Sequence, residues 1–310
     1  MKSSGDMVLI GLGRIGFKGF PQTHYQCAIN NNLKVVAGID SSPDARVRFT
    51  SETGIPSYES LSELPDQHWS SFFSVATATD ASFEILAELL SRNEPQGILA
   101  EKPFCSNVVQ SQQILTLQEF MKIPLRINYP RQYSRAMSDI KSLIANNNLI
   151  AGAVIYSSGL RENGSHFIRL LCGLFPSVMS YQNIDWIDSA RFRLQVGDDL
   201  KIDFVPLESP HLHNSEIRLI FSDFIISIRD GSKVEARRID TNSPIRKWPH
   251  DLELILEADF SDGFESSYLD QGWWRSPNLE SISEELKLDQ LCNSLLETAP
   301  IQNESKAEEN

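Results

Sequence analysis

Cysteine is scarce in this chain: four among 310 residues, at Cys27, Cys105, Cys172 and Cys292, with no CxxC pair. That spacing argues against a disulfide framework or a zinc site, and the four read as thiols of a reducing cytoplasm. Long apolar runs are missing too. None approaches the ~18–20 residues that a bilayer span needs. The first residues, MKSSGDMVLIGLG, carry one Lys and then break at glycines, which is not the pattern of a secretory signal. Positive charge is in short supply: Lys and Arg total 28 against 41 Asp and Glu, for a formal net charge of −13. So acidic a chain is repelled by phosphate backbones and anionic lipid, which argues against nucleic-acid or membrane-surface binding as a main role. No internal repeat or low-complexity tract interrupts it. What remains is ordinary globular composition, 41% hydrophobic and 22% charged. The length favours two domains.

Short apolar runs at 7–10, 33–39, 72–76, 97–100 and 124–127 alternate with segments of helical spacing at 43–52, 81–92 and 108–121. Strand and helix in repeated alternation imply right-handed crossovers and a doubly wound parallel sheet. Within 81–92, Phe83, Leu86, Leu89 and Leu90 form one stripe, as on a helix packed against a sheet. After Asn128 the pattern changes. Helices are expected at 135–146 and 166–174, with strands at 151–158, 178–184, 191–196, 201–205, 216–222 and 224–229. Asp230-Gly231 marks a tight turn. This half reads as an α+β domain on a large, mostly antiparallel sheet. One of its faces, as at 216–229, is expected to be apolar and left for a second copy to cover, giving a homodimer or homotetramer. The segment 281–297 has the pattern of an amphipathic helix, and 301–310 that of a disordered tail. The expected division is 1–127 for a dinucleotide-binding domain and 128–300 for a substrate and oligomerisation domain.

The first strand runs directly into Gly11-Leu12-Gly13-Arg14-Ile15-Gly16. This is GxGxxG where its chemistry requires it: the first glycine makes the tight turn, the second admits a pyrophosphate, and the third allows close packing. Asp40 ends the second strand, where a carboxylate can bond ribose hydroxyls. The residues after it, Ser41-Ser42, include no Arg for a 2′-phosphate, so NAD is expected over NADP. Glycines also serve plain turns, but the strand before them and the acid after them favour the dinucleotide. Gly19-Phe20-Pro21 breaks the helix that should follow. Thr23-His24-Tyr25-Gln26 is a capping-box pattern, so the helix is expected to restart at Thr23.

Ala100-Glu101-Lys102-Pro103, a strand ending in EKP, resembles the Gfo/Idh/MocA family of sugar and inositol dehydrogenases. The resemblance takes in GLGRIG, Asp40, GIPSYESLSEL, Asn128-Tyr129-Pro130-Arg131 and NGSHFIRLL at 163–171. It implies a two-domain fold with hydride transfer to or from NAD. Lys102 would lie beside nicotinamide and substrate hydroxyl, where an ammonium stabilises developing alkoxide charge. Without the motif it would be an ordinary surface lysine. His166 and the position four before it, Glu162, match a proton-transfer pair, with Glu standing where the family usually has Asp. A histidine titrates near neutrality and suits the relay, though a lone one at a helix start also caps or packs. The resemblance further assigns Thr77, Thr79, Glu101 and Arg131 to the cofactor, and Asn128, Arg161 and Asn163 to the substrate. Two departures stand out. The stretch Thr77–Ser82 lacks the family's Pro and His, and Arg169 stands where Asp is usual.

His211-Leu212-His213, beside Pro206 and Pro210, reads as a loop rather than a metal pair, and no metal site is expected. Trp273-Trp274 reads as packing or interface rather than a sugar platform. Arg161 and Arg169 flank His166 and would either hold an anionic substrate group or stand as solvated charges. Two functions compete: an NAD(H)-dependent oxidoreductase acting on a secondary alcohol or ketone of a sugar, cyclitol or nucleotide-linked sugar, and a non-catalytic dinucleotide-binding or regulatory protein of the same fold.

Overall fold

The computed structural model describes residues 5–20, 22–157, 159–175, 184–187, 191–196, 200–207, 215–239, 252–269, 286–287 and 289–290. The chain divides into two compact units. The first holds the described residues up to Tyr133 together with those from Asp262 to Gln290, and the second those from Ser134 to Ser261.

The first unit alternates strand and helix: β1 (Asp6–Ile10), α1 (His24–Asn30), β2 (Lys34–Ile39), α2 (Pro43–Thr53), β3 (Ser57–Tyr58), β4 (Phe72–Val75), α3 (Thr79–Arg92), β5 (Gly97–Glu101), α4 (Val108–Met121) and β6 (Leu125–Asn128). The strands pair in parallel in the order β3-β2-β1-β4-β5-β6. Such strands are covered on both faces, so their sequences are nearly unbroken apolar runs. In β4 all four residues are buried, as are four of five in β1 and in β5. The α3 stripe lies where its spacing puts it, with Leu86, Leu89 and Leu90 buried and Phe83 packed against the same core. Leu286 is buried in that core as well.

Helix α1 restarts as its cap signals predict. The Thr23 side chain accepts from the Gln26 backbone N–H at 3.2 Å. The Gln26 side-chain amide in turn donates to Asn30 Oδ1 at 2.8 Å, one turn along the helix. Before it, a single turn closes on Gly13, whose carbonyl accepts from the N–H groups of Phe17 and Lys18.

The second unit begins with α5 (Arg135–Ile144), β7 (Leu149–Tyr156) and α6 (Ser165–Leu174). Then come β8 (Ile184–Trp186), β9 (Phe192–Val196), β10 (Leu200–Pro206), β11 (Glu216–Phe221), β12 (Phe224–Arg229), β13 (Lys233–Arg238) and β14 (Leu254–Asp259). The eight strands form one sheet in the order β14-β13-β12-β11-β7-β10-β9-β8. Only β7 and β10 pair in parallel. Asp230 and Gly231 turn β12 into β13 with both residues at positive φ. After β14 the chain returns to the first unit as α7 (Gly263–Leu269).

One face of this sheet buries Ile202, Phe204, Ile217, Leu219, Phe221, Ile226, Ile228 and Val234. The expectation of an apolar open face at 216–229 needs correction. Its alternate residues are Glu216, Arg218, Ile220, Ile225, Ser227 and Arg229, a mixed surface on which Arg218 pairs with Glu216 and Arg229 with Glu235. The apolar half of each strand is the half already covered. His211, His213, Trp273, Trp274, Cys292, the tail 301–310, most of the strand expected at 178–184 and most of the helix expected at 281–297 lie outside the described residues.

Candidate cofactor and active site

The glycine loop owes its shape to contacts that no side chain permits. Gly11 sits at φ +89°, and a Cβ there would lie 2.4 Å from the Ala76 carbonyl oxygen. A Cβ on Gly16 would lie 1.9 Å from the Gly11 oxygen. Gly13 differs: nothing lies within 4 Å of its missing Cβ, so the loop presents bare backbone to open space. That space is a cavity of about 460 Å³ lined by Gly11, Gly13, Asp40, Ser41, Ala76 and Thr77, among others. A dinucleotide phosphate needs such a surface, with exposed backbone N–H groups and no Cβ in the way. The residues present fit the cofactor.

Asp40 reaches this loop from the end of β2. Its Oδ2 accepts from the Leu12 N–H at 2.7 Å, and its Oδ1 from the Ser42 N–H at 2.8 Å. Each carboxylate oxygen has a second lone pair left for a ribose hydroxyl. Two arginines that motif reading missed complete the cradle. Arg48 donates to the Leu12 carbonyl at 2.9 Å, so both ends of that residue are pinned. Arg46 donates to the carbonyls of Asp40 and Ser41 and reaches Glu59 at 3.3 Å. Both come from α2, out of register with any GxGxxG count. The charged residues lining the cavity are Asp40, Glu59 and Glu88, all acidic.

Thr77 lines the cavity and its hydroxyl meets that of Ser82 at 3.2 Å. Thr79 opens α3 and is not among the lining residues. Arg14 and Ile15 follow Gly13 in the loop, and the exposed Arg14 guanidinium lies over the Phe20 ring, 5.0 Å from its centroid. Glu101 ends β5, and Lys102 follows it, part-exposed. Glu101 Oε1 accepts from His24 Nε2 at 3.0 Å and from the Asn128 amide. Asn128 itself is fully buried. Arg131 stands in the turn after β6, where burial pushes its guanidinium down to about 10, still protonated at neutral pH.

The remaining expected site residues belong to the second unit. Arg161, Glu162 and Asn163 lie in a π-helical turn, Leu160–Gly164, that leads straight into α6. Such wide turns recur at functional sites. The Asn163 amide donates to the Ser215 hydroxyl at 2.9 Å, tying this turn to the start of β11. His166 is part-exposed in the first turn of α6. Arg169, one turn on, is buried, so the reading of it as a solvated charge is wrong. Cys27, Cys105 and Cys172 are buried outside any disulfide, and burial pushes Cys27 and Cys105 up to about 12. Neither of these two is a thiolate near neutral pH. Among the described residues no group of three or more His, Cys, Asp or Glu could hold a metal ion, and no helix is long and apolar enough to cross a membrane.

No curated protein matches the sequence. Solved structures resemble it over nearly its whole length at low identity. A 3-ketoreductase from Actinomadura kijaniata, solved with NADP, has a TM-score of 0.73 at 13% identity, covering 96% of this chain and 98% of its own. A UDP-N-acetylglucosamine 3-dehydrogenase from Acidithiobacillus ferrooxidans has a TM-score of 0.71 at 11% identity, with 96% and 97% covered. A Gfo/Idh/MocA family oxidoreductase from Vibrio cholerae has a TM-score of 0.70 at 13% identity, with 95% and 97% covered. At such identities the likeness shows the fold. Residues 6–129 match the Gfo/Idh/MocA model, described as an oxidoreductase family with an NAD-binding Rossmann fold. The matched stretch contains the glycine loop, Asp40 and the EKP strand end, so residues 6–129 are similar to the NAD-binding Rossmann domain of that oxidoreductase family.

Proposed function

We propose that this chain is an NAD(H)-dependent oxidoreductase acting on a secondary alcohol or ketone of a sugar, cyclitol or nucleotide-linked sugar. The observation that carries the reading is the cradle itself. Bare backbone at Gly13 faces a cavity closed by Asp40, and Lys102 follows the end of β5 in the same unit. The three acidic residues lining that cavity support NAD over NADP, because a 2′-phosphate would meet only like charge there. Arg46 does not offset this, since two carbonyls and Glu59 already take its guanidinium.

When bound, nicotinamide supplies the acceptor or donor of the hydride. The Lys102 ammonium stabilises negative charge as it grows on the substrate oxygen. His166 takes the hydroxyl proton as general base, a task an imidazole commonly performs. Asp40 and the glycine loop hold the adenosine end fixed meanwhile. The sugar class is supported by the two relatives named for sugar-nucleotide and keto-group chemistry. The same reading includes a homodimer or homotetramer assembled on the second unit's open sheet face.

The test is turnover on a panel of sugars, cyclitols and nucleotide-linked sugars, with Lys102→Ala and His166→Ala alongside. Each variant is expected to lose roughly 10²–10⁴ in turnover, the size of a lost electrostatic or general-base contribution. NADH affinity measured separately should hold for His166→Ala and fall only modestly for Lys102→Ala. Full turnover in both variants would sink the assignment. Absence of turnover in the wild type across the panel, with NADH still bound, would favour the non-catalytic reading.

A further inference from the structure

His24 is wholly buried, although it opens α1. An imidazole taken out of water costs free energy unless its nitrogens are bonded. Both are. Nδ1 meets the Ser74 hydroxyl of β4 at 2.8 Å, and Nε2 meets Glu101 Oε1 of β5 at 3.0 Å. As a carboxylate Glu101 can only accept, so the neutral ring carries its proton on Nε2 and takes the Ser74 proton at Nδ1. Asn128 of β6 donates to the same Glu101 oxygen, and the Phe264 ring of α7 lies edge-on to the imidazole at 5.1 Å. Three elements of the unit besides α1 therefore meet this one side chain, and a fourth, β6, joins them through Glu101.

Ser, His and Glu in that order are the groups of a nucleophilic triad. Here they cannot act as one. Ser74 has no exposed surface and lies on β4 between β1 and β5, so no substrate reaches its oxygen.

The backbone of His24 points to its role. Its N–H donates to the Ile15 carbonyl at 3.0 Å, and that of Tyr25 to Gly16 at 2.9 Å. One residue thus holds the glycine loop through its main chain and the strand end before Lys102 through its side chain. Both anchors lie close to the chemistry, because adjacent Cα atoms are only ~3.8 Å apart and Glu101 therefore carries Lys102 with it.

We propose that His24 is a positioning residue, a brace that sets Lys102 in register with the cofactor loop. This rests on the reading of Lys102 as the group that meets the substrate oxygen. A purely structural role would need only an apolar side chain of similar volume, without partners to satisfy.

The experiment compares His24→Leu, His24→Gln, Ser74→Ala and Lys102→Ala by turnover on whichever panel substrate proves active. NADH binding and thermal unfolding are measured on the same preparations. His24→Leu is expected to lose roughly 10–10²-fold in kcat, the penalty of a misplaced group, while NADH affinity stays within about twofold. The amide introduced by His24→Gln can still donate to Glu101 and should recover most of that loss. If His24→Leu does not fold, Ser74→Ala carries the test: it leaves the Glu101 contact but unlocks the ring, and kcat should fall with NADH affinity intact. The brace is overturned if kcat in the folded His24→Leu, or otherwise in Ser74→Ala, equals the wild type while Lys102→Ala is dead. It is equally overturned if His24→Gln does no better than His24→Leu, or if kcat and NADH affinity fall together. Full activity in Lys102→Ala, by contrast, would overturn the reading beneath it.

Discussion

Asp40 serves the loop and the cofactor with one carboxylate. Two of its lone pairs hold the N–H groups of Leu12 and Ser42, and the others face the cavity. Removing it therefore does two things: it loosens the loop and takes away the charge nearest to a 2′-phosphate. Asp40→Ala is expected to weaken NADH binding and to narrow the preference between the two cofactors, since it removes the carboxylate that repels a 2′-phosphate. Titration of both cofactors by fluorescence checks this, and a variant that keeps the wild-type ratio would show that Asp40 does not discriminate. Asp40 and the three loop glycines were legible in the sequence because their chemistry is local, a fixed count from a strand end. Arg46, Arg48 and His24 were not. The arginines return from a helix whose rotation no motif records, and His24 meets Glu101 across 77 positions of sequence. Arg169 misled for the same reason, since a charge on a helix reads as solvated until its face is known.

At the level of elements, the first unit was easier to read than the second. Its strands are buried on both faces and its helices carry stripes, so the two periods separate cleanly. Strands β13 and β14 went unseen: KVEARR buries only Val234 and Ala236, and LILEAD has no buried residue at all. Strand β14 lies at the sheet edge, where charge guards against further pairing, and β13 beside it carries charge on its open face; in both, that charge hides the pattern. Helix α1 is the opposite case, short enough that its start depends on a visible cap. It spans seven residues, too few to persist on helix propensity alone. Thr23→Ala removes the one side-chain acceptor at its N-terminus and should cost about 1 kcal/mol. Urea unfolding of the variant would read this as a lower midpoint with an unchanged slope. Thr23→Ser should restore most of it. An unchanged midpoint in Thr23→Ala would mean that the bonds from His24 and Tyr25 to the glycine loop fix the helix start without the cap.

For the molecule as a whole, the open sheet face is where association is expected, and its composition decides what kind. One row crosses all eight strands through the pairing register: Asp185, Arg193, Asp203, Ala153, Arg218, Ser227, Glu235 and Glu257. Charges of both signs alternate along much of it, with Arg193 paired to Asp203 and Arg218 to Glu216. Beside the row, Ile155, Ile220 and Ile225 are part-buried rather than enclosed. Eight strands at ~4.8 Å spacing and about 20 Å long present on the order of 700 Å², close to the ~800 Å² per partner of a standard interface. A two-fold pairing lays such a face on itself, and mixed charge can satisfy itself where a single sign could not. The net charge of −13 per chain works against it, so local pairing and the isoleucines must outweigh that repulsion. Light scattering at micromolar concentration is expected to give a dimer or a tetramer. Ile220→Glu with Ile225→Glu places four new carboxylates between two copies and should yield a monomer. NADH affinity should survive, because the cavity is lined by first-unit residues alone. A wild-type monomer would refute the assembly, and an unchanged oligomer in the double variant would move the interface to another surface.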